Sequence, residues 1–262
     1  MSGAVLLPHW PAVGGVRALF TLRAGGVSRP PYDAFNLAAH VGDEPDAVAL
    51  NRQCLRRQQA LPGEPLWLEQ VHGTHVVDAD RARGDAAAQG APRGDAAVSR
   101  QPGTVLAVLV ADCLPVLLAA CDGSAVAVAH AGWRGLAGGV LEATIAALAG
   151  HAPLQAWLGP AIGAARFEVG PEVLAAFVAH DGAARAAFTP NASGRWQCDL
   201  RALAHARLTA LGVTSIHVDP SCCYDEPRRF YSYRRDGATG RMAALIWLQP
   251  VQSTEAACGS TR

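Results

Sequence analysis

Lysine is absent from this 262-residue chain; all 22 of its basic side chains are arginine. No lysine can serve as base, Schiff-base former or phosphate clamp, so cationic help to a reaction must come from arginine, histidine, a metal ion or backbone N–H groups. The bias, like the excess of alanine, is that of a GC-rich coding sequence. Net charge is lacking too. The 22 acidic residues cancel the arginines, which leaves no general attraction for nucleic acid or an anionic membrane. Long apolar runs are missing: the best stretch, Val105 to Ala120, is interrupted by Asp112, Cys113 and Pro115, well short of the roughly 20 residues a membrane span needs. Met1 to Pro11 has neither a basic n-region nor a long apolar h-region, so no secretory signal is expected. A disulfide framework is not expected either, because the seven cysteines are odd in number and irregular in spacing. These absences describe a reduced, cytoplasmic protein with no nucleic-acid or membrane partner.

What is present is a core. Half the residues are hydrophobic and 17% are charged, enough for a folded domain and too apolar for disorder. Val16 to Arg23 alternates as a strand and leads into the turn Ala24-Gly25-Gly26-Val27-Ser28. A helix is expected from Glu44-Pro45 to about Ala60, with proline at its first position. Leu66 to His72 and His75 to Asp78 read as strands about Gly73, and residues 80–94 as a surface loop. Val105–Val110, Val116–Ala120 and Ala125–Ala129 suit buried strands. Leu136 to Leu148 reads as one helix ending before Gly150. Asp199 caps another that carries Leu200, Leu203, Ala204, Leu208 and Leu211 and stops at Gly212. Ile216–Val218 and Met242–Leu248 read as later strands. Strands and helices mix irregularly, which predicts one α/β domain over residues 1–249 and a loose tail over 250–262.

Three residues stand where strands stop. His72 lies in Gln70-Val71-His72-Gly73, Cys113 in Ala111-Asp112-Cys113-Leu114-Pro115, and His130 in His130-Ala131-Gly132-Trp133-Arg134-Gly135. Strand ends are where mixed α/β folds place their sites. Two imidazoles and a thiolate suit Zn²⁺ and leave its fourth position open, the pattern of a catalytic rather than a structural ion; copper would also bind. Their spacing matches no local metal motif, so a buried thiol and two ordinary histidines fit the same residues. Asp112 points away from its neighbour Cys113 on an extended chain. The Arg228, Arg229, Arg234 and Arg235 stretch reads as a solvated loop.

The ordered motifs resemble those of the YfiH family, also called the laccase-domain or multi-copper polyphenol oxidase family. The resemblance rests on Gly25-Gly26-Val27-Ser28, Phe35-Asn36-Leu37, Val41-Gly42-Asp43, Asn51-Arg52 and the three blocks above. It continues through Leu158-Gly159-Pro160-Ala161-Ile162-Gly163, Phe167-Glu168-Val169-Gly170 and Tyr231-Ser232-Tyr233-Arg234-Arg235-Asp236 to Gly240-Arg241, covering about residues 20 to 248. Phe167 stands where the family often has Tyr, Ser99 where it has Thr, and Cys223 where Thr often follows the cysteine.

The resemblance implies a single α/β (α+β) domain of mixed β-sheets packed as a sandwich and flanked by helices. It implies that His72, Cys113 and His130 form a metal site. It also implies a purine nucleoside phosphorylase, splitting adenosine, inosine or 5′-methylthioadenosine with phosphate, that deaminates adenosine as well. In that role Arg52 is the first choice to hold phosphate, because arginine offers a planar fork of donors. Ser28, Asn36, Asp43 and Arg134 are assigned to substrate binding, although turn and capping roles explain Asn36 and Asp43 equally well. A monomer or weak homodimer is expected. One rival is a metal-free Cys–His hydrolase or amidase, with a place in editing peptidoglycan precursors. Another is a copper-dependent polyphenol oxidase, which needs more copper centres than one His₂Cys set supplies.

Overall fold

The computed structural model describes residues 5–82, 90–151 and 153–250. In chain order its first strands are β1 (Val5–Leu6), β2 (Val16–Thr21), β3 (Val76–Asp78), β4 (Ala96–Ser99), β5 (Leu106–Val110), β6 (Leu114–Ala120) and β7 (Val126–Ala131). The later ones are β8 (Leu154–Leu158), β9 (Glu168–Val169), β10 (Phe188–Pro190), β11 (Trp196–Cys198), β12 (Ser215–Val218) and β13 (Met242–Leu248). The helices are α1 (Pro45–Gln58), α2 (Ala79–Ala82), α3 (Trp133–Gly138), α4 (Val140–Ala147), α5 (Pro171–Val178), α6 (Leu200–Ala210) and α7 (Tyr233–Asp236).

Two large sheets form. One is antiparallel, in the order β1-β2-β13-β5; the other is mixed, in the order β12-β8-β6-β7-β4-β3. A small third sheet, β10-β11-β9, lies beside them. Side-chain alternation divides the core into three parts. Phe20, Val108 and Ile246 from the first sheet meet Leu117, Val128 and Trp157 from the second, sealing the space between the sheets. The outer face of the first sheet, through Leu19, Leu109 and Leu245, packs on Phe35 and Leu37 from the segment before α1 and on Leu55 of α1. The outer face of the second, through Leu114, Val116 and Leu118, packs on Leu141, Phe177 and Leu203 from α4, α5 and α6. The layers therefore run helix, sheet, sheet, helices. Strands β6 and β7 are buried on both faces, which is why they read as unbroken apolar runs rather than alternating ones. No helix among the described residues is long and apolar enough to cross a membrane.

The structure departs from the sequence reading in several places. Leu66 to His72 is not a regular strand: only isolated bridges form, Leu66 to Leu106 and Glu69 to Arg93. The Gln70 side chain replaces the next rung by pairing with both the N–H and C=O of Leu109, and His72 then turns to φ +58°. The expected helix over Leu136–Leu148 begins earlier and is cut in two at Gly139, whose φ of +100° ends α3; the Gly138-Gly139 pair lacks the side chains that would hold a continuous helix. Ala79–Ala82 is a short helix where a loop was expected, and residues 83–89 of that loop lie outside the described residues. Arg235 is no solvated side chain: it donates to the carbonyls of Cys223, Tyr224 and Phe230. The expected tail also lies outside the described residues beyond Pro250.

Candidate metal centre

Chain crossings gather the site. β5 belongs to the first sheet and β6 to the second, so the bend at Asp112-Cys113 is where the chain passes between sheets. Asp112 takes φ +89° to make that bend. Cys113 is thereby set at the head of β6, next to Leu114, which pairs with Ala131 of β7. His130, the neighbour of Ala131, lies across from it. His72 arrives from the irregular segment before β3. The ligand atoms of His72, Cys113 and His130 all lie within 4.8 Å of one another, with Cys113 Sγ 4.0 Å from His72 Nε2. The imidazoles of His72 and His130 meet edge to face at 4.8 Å.

These donors fit a tetrahedral ion. Sulfur and nitrogen ligands on zinc sit about 3.6 Å apart when both bonds have ordinary lengths, and the three atoms here need only small movements to reach that. The surroundings fit as well. Asp95, absent from the sequence-based set, is completely buried, and its carboxylate is bonded to His130 Nδ1 at 2.9 Å. The same carboxylate accepts the backbone N–H groups of Val71, His72 and Gly73 at 3.1, 2.9 and 2.7 Å. One side chain thus orients the ring of His130 and the backbone that carries His72, the outer-shell arrangement typical of histidine ligands. Burial alone would raise the Asp95 pKa, but the bonds from His130 and Gly73 outweigh it and hold the carboxyl below its usual value. Its sequence signal is faint: a lone Asp ahead of an alanine-rich strand.

Burial also pushes the Cys113 thiol up, yet the imidazoles of His130 and His72 overcome this and bring it down to about 6. Burial pushes His130 the other way, and the Cys113 sulfur and Asp95 carboxylate outweigh it and raise the ring. The pair therefore favours thiolate beside imidazolium, and the thiolate is the form that binds metal. Gly132 forms the close wall. A Cβ there would stand 2.9 Å from Cys113 Sγ and 3.1 Å from His72 Cδ2.

The three residues open into a cleft of about 420 Å³, which His40, Gln70, Leu109, Val110, Ala111, Tyr233 and Arg241 complete. Arg241 is the charged group sequence reasoning passed over, although it ends the last recognisable motif. Its Nη1 donates to the carbonyls of Thr239 and Gly240, which anchors the guanidinium at the cleft. Burial lowers its pKa, while the Cys113 sulfur and Asp112 act in the opposite sense. His40 is held below the usual histidine value by burial, then by the charges of Arg241 and Arg52.

The other residues singled out from the sequence stand elsewhere. Arg52 does not line this cleft. Its Nε donates to the Leu37 carbonyl at 3.0 Å, and its guanidinium stacks 4.2 Å from the Trp67 ring; its charge still reaches His40. Ser28, Asn36 and Asp43 form a hydrogen-bonded lattice away from the cleft lining. Ser28 Oγ and Asn36 Nδ2 both donate to Asp43 Oδ2, at 2.6 and 2.9 Å. Asn51 donates to Ser28 Oγ and the Asn36 carbonyl. Asn36 Oδ1 in turn accepts the backbone N–H of Arg241 at 2.9 Å, so this lattice supports the cleft from behind. Arg134 is exposed on α3 and packs over Trp133 at 4.4 Å.

Comparison with known proteins agrees with this architecture. The chain is 50% identical over 248 residues to the Pseudomonas aeruginosa purine nucleoside phosphorylase PA4543, covering 94% of this chain and 99% of that protein. It is 49% identical over 245 residues to the Escherichia coli purine nucleoside phosphorylase YfiH, covering 93% of this chain and 98% of that one. Among solved structures, Neisseria meningitidis protein NMB0706 superposes with a TM-score of 0.87 at 48% identity, over 94% of this chain and 99% of that one. YlmD from Geobacillus stearothermophilus gives 0.82 at 31% identity, over 91% and 94%. Residues 17–249 match the family described as multi-copper polyphenol oxidoreductase laccase, and with such relatives along nearly its whole length the chain belongs to that family, the YfiH family of its sequence motifs.

Proposed function

We propose that the cleft carries out phosphorolysis of purine nucleosides, with adenosine deamination as a second reaction at the same centre. The observation that carries the reading is the juxtaposition in one cleft of the His72–Cys113–His130 donor set with Arg241 and His40, an anion-binding side next to a metal-binding side. The relatives named as purine nucleoside phosphorylases support it.

In phosphorolysis a phosphate oxygen bonds to C1′ of the ribose as the bond from C1′ to the base nitrogen breaks. The electron pair of that bond leaves with the base, which takes up a proton. Arg241 suits the phosphate: a guanidinium pairs with phosphate oxygens in a forked geometry, and the Asn36 lattice fixes its backbone. Arg52 adds positive charge from behind His40. The proton that the base takes up comes from the incoming hydrogen phosphate. His40, whose pKa is lowered by burial and by the charges of these two arginines, holds a proton weakly and so can relay it from phosphate to the departing base nitrogen. His72, Cys113 and His130 are the residues that would hold Zn²⁺, with copper as the alternative ion. An ion held there supplies Lewis acidity in the cleft. Deamination of adenosine exchanges the 6-amino group for an oxygen from water, with release of ammonia.

Purified protein incubated with adenosine or inosine, with and without phosphate, tests this by chromatography of the products. Phosphate-dependent release of adenine or hypoxanthine, lost in Cys113→Ala together with bound metal, is expected. Phosphate-independent formation of inosine from adenosine would leave the deaminase half alone.

One geometric observation favours a second reading. Cys113, His130 and Asp95 stand in the order nucleophile, base and orienting carboxylate, the arrangement of a cysteine hydrolase. That reading requires covalent labelling of Cys113 and turnover that survives removal of metal by a chelator.

A further inference from the structure

Tyr233 is the aromatic ring that the fold leaves bare at the rim of the metal cleft. It is 61% exposed, and among the described residues no other aromatic side chain is so uncovered. Its backbone is anything but loose. Ser232 caps α7 by accepting the Arg235 N–H. The Arg234 N–H donates to Asp112 Oδ2 at 2.7 Å, and the Arg235 side chain holds three carbonyls and Asp236. An apolar ring held out on a rigid pedestal gains nothing for folding, since exposure forfeits the burial that would stabilise it. The pedestal is also tied to the chemistry: Asp112, which receives it, immediately precedes Cys113.

The polar groups around the ring narrow what it can meet. Gln70 would be the natural reader of a base edge, yet its amide oxygen and nitrogen each hold a bond to the Leu109 backbone, which ties the amide to the strand. The Arg241 guanidinium lies 5.8 Å from the Tyr233 ring centroid, which sets a phosphate anchor beside an aromatic face. Replacement of a base by phosphate at one sugar carbon needs these two binding elements side by side.

We propose that Tyr233 is the platform on which the flat face of the nucleobase stacks, so that the cleft recognises its substrate by the ring rather than by hydrogen bonds to the base edge. This rests on the phosphorolysis reading for the identity of the ligand. A base stacked on an aromatic side chain loses about 5- to 150-fold in affinity when that side chain becomes alanine. Tyr233→Ala is therefore expected to raise KM for adenosine and inosine within that range, with KM for phosphate, metal content and melting temperature unchanged. Tyr233→Phe, which keeps the ring, is expected to stay within about twofold of the parent. A Tyr233→Ala protein with the parent nucleoside KM would overturn the platform. So would a Tyr233→Phe protein as impaired as the alanine variant, because the hydroxyl and not the ring would then be the contact. Calorimetry with adenosine alone separates the platform from the reaction. Binding without turnover, weakened in Tyr233→Ala, would sink the phosphorylase and keep the platform; no binding of any nucleoside by the parent protein would sink both.

Discussion

Gly132→Ala is the sharpest perturbation of the candidate metal centre, because it adds one methyl group and removes none of the donors. Gly132 has φ −62° and ψ 157°, a conformation open to any residue, so alanine brings no backbone strain. Its Cβ would meet Cys113 Sγ at 2.9 Å and His72 Cδ2 at 3.1 Å. Ordinary contact lies at about 3.5 to 4.0 Å. The sulfur must retreat by roughly 0.6 Å or more, and the imidazole by about 0.4 Å, if normal contact is to be restored. Functional constellations tolerate about 0.5 Å before they lose efficiency, and a displacement near 1 Å costs on the order of 100-fold in rate. Overpacking a well-packed site costs about 1–3 kcal/mol of stability, and for a chain of this size each kcal/mol lowers the melting temperature by only about 2–4 °C. The expected protein is folded, binds metal about 10- to 100-fold more weakly than its parent and has lost most of its turnover. Metal titration by competition with a chromogenic chelator, alongside thermal melting, measures both effects. Parent-like metal affinity and parent-like turnover in a folded Gly132→Ala protein would refute the placement of the site against this wall.

Three other predictions follow from the same geometry. Asp95→Asn puts an amide where the carboxylate now serves four donors; metal affinity should fall about 10- to 100-fold, and equilibrium dialysis against the metal measures it. In metal-free protein, Cys113 should be alkylated by iodoacetamide with a rate that rises through about pH 6, because the imidazoles of His130 and His72 hold it as thiolate below the usual thiol range; peptide mass spectrometry across pH measures it, and a rate that rises only at ordinary thiol pH would refute the pairing. Arg241→Gln should raise KM for phosphate about 10- to 100-fold, the loss of a hydrogen bond to a charged group, with a smaller change in KM for the nucleoside; steady-state kinetics with each substrate varied in turn settles the order of these effects.

The two-faced strands were the most legible part of the fold. Leu114 to Ala120 and Val126 to Ala131 are buried on both sides, and a continuous apolar run bounded by Asp or Gly says as much. The helix over Pro45–Gln58 announced itself by its proline, and the one over Leu200–Ala210 by its Asp199 cap, whose side chain accepts the Ala202 N–H. Less could be read where tertiary contacts override local pattern. Ala96–Ser99 forms a central strand from residues with little strand preference, because β7 and β3 lie on either side. Gln70 imitates a strand rung with its side chain, an event no periodicity encodes. At the site, the sequence picked out His72, Cys113 and His130 as isolated strand-end residues, and the structure brings their ligand atoms together. Asp95 and Arg241 could not be singled out in the same way. Each owes its place to a partner far along the chain, Asp95 to His130 and Arg241 to Asn36. Arg52, the first choice for phosphate from the sequence, is engaged by the Leu37 carbonyl and the Trp67 ring.

The position of β13 bears on how the molecule can be made. Met242–Leu248 is inserted between β2 and β5, pairing with both, so the middle of the first sheet comes from residues that are synthesised after both of the strands they join. Until they emerge, β2 and β5 each present an unpaired edge, and the apolar face shared with the second sheet stays partly open. Such edges invite pairing with other chains. A nascent chain stalled before this strand would already hold His72, Cys113 and His130 and yet lack the strand that joins β2 to β5.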